Sequence, residues 1–460
     1  MIAHFKAVDR QTLYLFPPSV EDWLPEKHLA RFVVDVVSKL DLHELKMPYT
    51  GVGSEAFNPE MLLALLFYGY ATGVFSSRKL EQATYDSIAF RYIAANTHPD
   101  HDTIATFRKR FLEQLKPLFL QILLLAKTLG FLQLGKISLD GSKIQANASK
   151  HTALSWGHAL ELEQELKAEV ARLIALAEAA DTTEVPDGMD IPAELARRDQ
   201  RLKAIGEAKA KLEARAAERH AAEQAAYEAK QAERAAKVQA TGRPPKGSEP
   251  KPPEPGVRDS DQINLTDHES RIMPASGQSF LQAYNVQAGV ETESLLIVTE
   301  HVTQNVNDKR EVEPTLKALE QLAQSLGPAE ALLADNGYYS EDNVKACQEE
   351  KMTPFIAAGR ERHHLPLEQR WADPPPLPAE ANAVETMRHR LKTPEGRAIY
   401  GRRKCTVEPV FGIIKSVLGF RQFQLRGLQA VSGEWTLVSM AWNLKRMFVL
   451  QQRKLPAQTA

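Results

Sequence analysis

Apolar positions recur every three to four residues through most of the first 130 residues, the spacing of helices that bury one face. Asn58-Pro59 offers a capping side chain and a proline suited to a first helical turn, and Met61, Leu62, Leu65 and Leu66 follow at helical spacing. A second helix is predicted from Ser77 to Ala94. A third starts at Asp102-Thr103 and carries Ile104, Phe107 and Phe111 on one face, with His98-Pro99-Asp100 as the break between them. Helix, short break and a helix bearing Arg108-Lys109-Arg110 is compatible with a helix-turn-helix reader in which Arg108 and Lys109 contact DNA. It is equally compatible with three packed helices that touch no DNA. His98 and His101 have no matching Cys or His elsewhere and read as a solvated loop pair.

From Lys136 the period changes to two. Ile137 to Asp140 alternates and breaks at Gly141, and Lys143 to Ala146 alternates again, which predicts two short strands joined by a turn. Residues 153 to 240 are rich in Ala, Glu, Lys and Arg. Leu162, Leu166, Val170 and Leu173 make one seam, and Leu195, Leu202, Ile205, Ala208, Leu212 and Ala216 a second, in which Lys209 breaks the seven-residue count. Asp187-Gly188 and Pro192 lie between them, so a helical hairpin is predicted, followed by a Pro-rich loop from Gly242 to Gly256. Strands return at Leu281 to Val290 and Ser294 to Thr299. A helix is predicted with Asp308 as its cap, then a strand Ala331 to Ala334 ending in Asp335-Asn336-Gly337, a helix capped by Ser340, a strand Thr353 to Ala357, and a helix from Glu408 to Phe420. Strands followed by helices predict an α/β sheet with parallel members, interrupted by the hairpin and preceded by an all-α region. The expected segments are 1–130 (helical, DNA-binding), 131–152 (first part of the sheet), 153–256 (hairpin insertion), 257–450 (the rest of the sheet with basic C-terminal helices) and 451–460 (tail).

Composition adds little to this outline until charge is read locally. The 460 residues are 43% hydrophobic and 25% charged, ordinary values for globular protein. No run approaches the roughly 20 apolar residues that span a bilayer, and the first residues lack the pattern of a signal peptide, so no membrane partner is expected. Two distant cysteines, Cys347 and Cys405, suit a reducing cytoplasm. The formal net charge of −2 argues against a nucleic-acid partner, yet residues 381 to 460 hold 14 Lys and Arg against 4 Glu. A local excess of that kind is what a phosphate backbone attracts, although a solvated basic surface would look the same.

Three carboxylates stand out by position. Asp140 precedes a glycine at the end of an expected strand, Asp335 ends another, and Glu408 opens a helix in the most basic stretch, with Lys415 two turns along. Groups at the carboxyl ends of strands are where open α/β sheets gather ligands. Converging carboxylates repel unless cations compensate, and hard oxygen donors suit Mg²⁺ or Mn²⁺. Two such ions can activate an attacking oxygen and stabilise a leaving one in phosphodiester displacement. An Asp beside Gly is also ordinary turn chemistry.

Several motifs resemble the insertion-sequence transposases of the DDE class. They are Leu139-Asp140-Gly141-Ser142-Lys143, Tyr284-Asn285-Val286-Gln287, Ala334-Asp335-Asn336-Gly337-Tyr338-Tyr339-Ser340, and Thr406-Val407-Glu408-Pro409-Val410-Phe411-Gly412-Ile413-Ile414-Lys415 with Gly419-Phe420 and Leu425-Arg426-Gly427 beyond it. Phe67-Tyr68-Gly69-Tyr70, Ser76 to Glu81 and Pro99 to Arg108 are similar to the family's N-terminal region. The resemblance implies an RNase H-like mixed sheet with flanking helices. It also implies Asp140, Asp335 and Glu408 as catalytic metal ligands for Mg²⁺ or Mn²⁺, two ions in all, and Tyr400, Arg403 and Lys415 as contacts to DNA. The gap from Glu408 to Lys415 is the family's, whereas Arg403 to Glu408 is one residue longer, with Lys404 at the family position. The implied partners are double-stranded DNA, at element ends and target, and a second copy on that DNA. The implied location is the bacterial cytoplasm, at the nucleoid. A transposase-derived DNA-binding protein without catalysis, and a scaffold built on the 153–240 helices, are the competing expectations.

Overall fold

The structure is a computed structural model that describes residues 19–49, 56–179, 190–242, 248–275, 279–359, 374–378 and 380–454. Asp187-Gly188 and Pro244-Pro245 of the expected loops lie outside them. The chain forms two compact units, Met1–Ile144 with Asn285–Ala460, and Gln145–Tyr284.

The first unit begins with helices α1 (Leu29–Ser38), α2 (His43–Lys46) and α3 (Pro59–Thr72), then α4 (Ser77–Asp86), α5 (Ile88–Ile93), α6 (His101–Arg110) and α7 (Leu115–Thr128). Asn58 caps α3 as expected, accepting from the Glu60 amide, and Gly73 ends it in a left-handed conformation. Every residue from Leu62 to Ala71 is buried, so α3 is a central helix rather than an amphipathic surface one. The single helix expected over 77–94 breaks at Ser87, whose extended backbone separates α4 from α5. Asp100 caps α6, so that helix starts before the expected Asp102. His98 stacks on Tyr85 with ring centroids 3.8 Å apart, and His101 pairs with Glu81; both work inside this helical cluster.

The sheet follows, with β1 at Lys136–Gln145. The two short strands expected here are one continuous strand that runs through Asp140 and Gly141 without turning. Gly141 is needed for space: a Cβ there would stand 2.3 Å from Gln287 Nε2 and 2.8 Å from Asp308 Oδ1.

The second unit opens with β2 (Ala153–Ser155), α8 (Trp156–Ala179), α9 (Ile191–Thr241), β3 (Gln262–Asn264) and β4 (Arg271–Pro274). Strand β5 (Phe280–Glu291) starts in this unit and continues in the first. Leu154, Ala159 and Leu166 meet Ile205, while Ala208 and Leu212 pack with Ile263, so both expected seams face inward. Lys209, the misfit in the heptad count, reaches Glu163 at 2.6 Å and covers the Trp156 ring. Pro192 lies in the first turn of α9, not in the connection before it. Beyond Ala216 the last turns of α9 are mostly exposed, and at 51 residues the helix is roughly 75 Å long. The unit is wider than residues 153–256 because β2 pairs with β3 and β4 with the start of β5.

Back in the first unit come β6 (Ile297–Thr303), α10 (Val312–Leu326), β7 (Ala331–Ala334), α11 (Glu341–Glu349) and β8 (Thr353–Ile356). The strand order is β6-β5-β1-β7-β8; β6 is antiparallel to β5, whereas β1, β7 and β8 are mutually parallel. Helices α12 (Ala383–Lys392), α13 (Pro394–Gly401) and α14 (Val407–Gly412) precede a π-helical turn over Ile413–Val417 and the long helix α15 (Leu428–Lys454). Helix α15 is the spine of this unit and packs on β6, α3 and α7. Its Asn443 accepts from the amide and donates to the carbonyl of Ile297, both at 2.8 Å, which pairs backbone at the sheet edge. That packing puts the N-terminal helices and the sheet in one compact unit. Among the described residues no helix is long and apolar enough to cross a membrane.

Candidate active site

Strands β1 and β7 run side by side and in parallel, with Ser138 level with Leu333. Asp140 lies further along β1, and Asp335 directly follows β7 at the same end of the sheet. Burial pushes the Asp140 carboxyl up to about 6, the largest cause; the charges of Asp335 and Asp308 add to the rise, against the Gly141 amide and Arg403. Asp335 begins a 3-10 turn and accepts from the Gly337 amide at 2.7 Å. Glu408 stands in the first turn of α14, where Pro409 costs no hydrogen bond. Arg403 joins them. Its guanidinium donates to Asp140 Oδ2 at 3.3 Å and to Glu408 Oε1 at 2.9 Å, and it feels the charge of Asp335. Burial raises the pKa of Tyr400, on α13, against the nearby charge of Arg403.

Lys415 falls in the π turn, where the expected single helix over 408–420 is interrupted. Its Nζ donates to Ser142 Oγ at 3.0 Å, and burial lowers its pKa, with Arg421 adding to the effect. The three acids gather around Arg403 with Tyr400 near it, and Lys415 reaches Ser142, two residues beyond Asp140. Arg108 does not join them. It is 7% exposed and donates to the Tyr70 hydroxyl and the Phe75 carbonyl, which leaves it no face for DNA. Its neighbour Lys109, by contrast, is exposed on α6. The Tyr70 hydroxyl in turn donates to Glu434, so Arg108 is the counterion of a buried carboxylate.

Sequence reasoning gave no site role to Asp308, which it read as a helix cap, nor to Asn285, Gln287 and Lys143, although these three stand in the family-like motifs. Asp308 does not cap a helix: α10 begins at Val312, and the Asp308 carboxylate accepts from Asn285 Nδ2 at 2.7 Å and Gln287 Nε2 at 2.8 Å, with Lys143 Nζ at 3.4 Å. A signal was available in β5, where Asn285 and Gln287 put amides two apart, on one face of a mostly apolar strand. Both are fully buried.

The donor set can be tested against a divalent cation. Among the described residues no three carboxylate, imidazole or thiol groups enclose a position for one. Arg403 occupies the point where Asp140 and Glu408 meet, so the arrangement already demands positive charge there. Hard carboxylate oxygens around a place that takes a cation fit Mg²⁺ or Mn²⁺.

A family model described as "Transposase DDE domain" matches residues 251–444, and one described as "Transposase domain (DUF772)" matches residues 18–110. The first span contains Asp335 and Glu408; Asp140 precedes it. Neither a curated protein nor a solved structure matches the chain. A DDE domain has the RNase H-like fold, in agreement with the mixed sheet and its flanking helices. The two matches together span more than half of the sequence, and the chain belongs to the DDE transposases of insertion sequences.

Proposed function

We propose that the chain binds the terminal inverted repeats of its own mobile element, cuts a DNA strand at each end and joins the freed end to target DNA. The observation that carries this reading is the meeting of Asp140, Glu408 and the charge of Asp335 around Arg403. Asp140, Asp335 and Glu408 would hold the Mg²⁺ or Mn²⁺ ions, which when bound supply activation of the attacking oxygen and stabilisation of the leaving oxygen. In the first step a water oxygen bonds to phosphorus and the bond to the 3′ oxygen breaks, leaving a 3′-hydroxyl and a 5′-phosphate. In the second that 3′ oxygen attacks a target phosphodiester and displaces its 3′ oxygen. Arg403 gives up its carboxylate contacts as the site loads and turns to phosphate, for which its planar fork is suited. Lys415 and Tyr400 hold the strand next to the cut, and exposed Lys109 contacts the backbone further away. Two copies hold the two ends together, since both ends must be cut in one event.

The test is a supercoiled plasmid carrying the gene's own flanking DNA, incubated with purified protein and Mg²⁺. Cleavage at the flanks is expected from the native chain. Asp140→Asn, Asp335→Ala and Glu408→Gln should each lose on the order of 10³-fold or more in cleavage while still binding the flanks. Undiminished cutting by Asp335→Ala would sink the assignment. Flank binding with no cutting in Mg²⁺ or Mn²⁺ would instead identify a DNA-binding descendant.

A further inference from the structure

One carboxylate at this end of the sheet takes no part in the proposed cutting and joining. Asp308 sits in the connection between β6 and α10, with its side chain 25% exposed. Oδ1 is held by two buried amides and faces an ammonium group, those of Asn285, Gln287 and Lys143. The connection itself is strapped down. Asn285 Nδ2 also donates to the Asn305 carbonyl, Asn305 Nδ2 donates to Glu311 Oε1, and Asn343 Nδ2 donates to the carbonyls of Lys309 and Tyr338. The Tyr338 hydroxyl donates to Gln287 Oε1, and Trp435 Nε1 donates to the Gln287 carbonyl, which fixes the amide that holds Asp308.

The carboxylate so fixed lies against both acidic motifs. A Cβ on Gly141, next to Asp140, would meet Asp308 Oδ1 at 2.8 Å, and one on Gly337, two residues past Asp335, would lie 3.8 Å from Oδ2. Its charge acts on Asp140. A loop aspartate serving only its own turn has no need of donors from two strands, nor of a glycine kept open on one of them. This arrangement, with fully buried polar side chains on a central strand, is costly unless it holds a charge in place.

We propose that Asp308 is a positioning residue of the metal centre: an outer carboxylate, fixed by Asn285, Gln287 and Lys143, that holds a fourth negative charge against Asp140 and Asp335 and sets how tightly the centre takes a divalent cation. This rests on the reading of Asp140, Asp335 and Glu408 as the residues that hold the metal. Outer partners of metal ligands are worth about 10- to 100-fold in affinity.

The experiment is Mn²⁺ binding to the full chain, followed by electron paramagnetic resonance without DNA, for the native protein, Asp308→Asn and Asp335→Asn. Asparagine keeps an acceptor oxygen for Asn285 and Gln287 and removes the charge. Asp308→Asn should bind Mn²⁺ about 10- to 100-fold more weakly, and its cleavage should return to the native level at saturating Mg²⁺. Native-like Mn²⁺ affinity in Asp308→Asn, or a cleavage defect that no metal concentration restores, overturns the proposal. If Asp335→Asn also binds Mn²⁺ like the native chain, the three-acid reading is what has failed. Should Asp308→Asn not fold, Asp308→Ser decides: it keeps a hydroxyl acceptor without the charge and should weaken Mn²⁺ binding as well, and native-like binding rejects the role.

Discussion

At the scale of single residues, the site stores an unfavourable charge. Asp140, with a carboxyl at about 6 against 3.8 for the free residue, is held in a setting that disfavours its ionised form. Between those values the folded protein binds more protons than the unfolded one, so this group's contribution to stability falls as pH rises through the window. In chelator, Asp140→Asn should therefore be more stable than the native chain by about 1–3 kcal/mol above pH 6. The difference should vanish below pH 4, as paired denaturant titrations across pH would reveal. The buried trio of Glu434, Tyr70 and Arg108 behaves in the opposite way on mutation. Glu434 accepts from Tyr70 at 2.8 Å and from the amides of Gln424 and Leu425, and burial raises its pKa. Glu434→Ala would strand Arg108 and two amides inside the protein, at a cost of about 3–5 kcal/mol in a thermal melt.

Among the elements, β1 and α15 each carry a glycine that has no room for a side chain. Gly141→Ala would push Gln287 and Asp308 out of contact with each other, although both are side-chain ends that can move. A folded protein with cleavage reduced at least tenfold is the expected outcome, measured on the same plasmid. On α15, a Cβ at Gly433 would stand 2.8 Å from Leu112 Cβ, where there is no slack. Gly433→Ala should cost about 1–3 kcal/mol by denaturant unfolding, the usual penalty of overpacking. The π turn after α14 is the element that aims Lys415 at Ser142, an interruption that helical spacing in the sequence does not reveal.

Across the whole molecule, the residues fall into two compact units. The first contains every residue of the candidate site, and the second is the α8–α9 hairpin with its small sheets. Ile205 is fully buried in the hairpin core, so Ile205→Ala should loosen it by about 2–5 kcal/mol. Faster amide exchange confined to α8, α9 and β2–β3, with the first unit's amides unchanged, is the expected signature. Spread of that loss into α15 would mean that the units unfold as one.

The amino-acid sequence determined the order and type of most elements, because burial patterns with periods of 3.6 and 2 are local: the Asn58 cap, the Ser340 cap, both hairpin seams and β7 ending at Asp335 were all readable. It also placed Asp140, Asp335 and Glu408 within recognisable motifs. Only the tertiary structure decided what depends on neighbours distant in sequence. Gly141 looks like a turn and is instead a gap in a straight strand, since Gln287 and Asp308 fill the space a side chain would take. Arg108 looks like a DNA contact and is instead neutralised by a carboxylate 326 positions away, because charge on a helix does not reveal which way the helix faces. Asp308 looks like a cap and is instead drawn to the acids by amides on β5, a partnership that exists only once the sheet has formed.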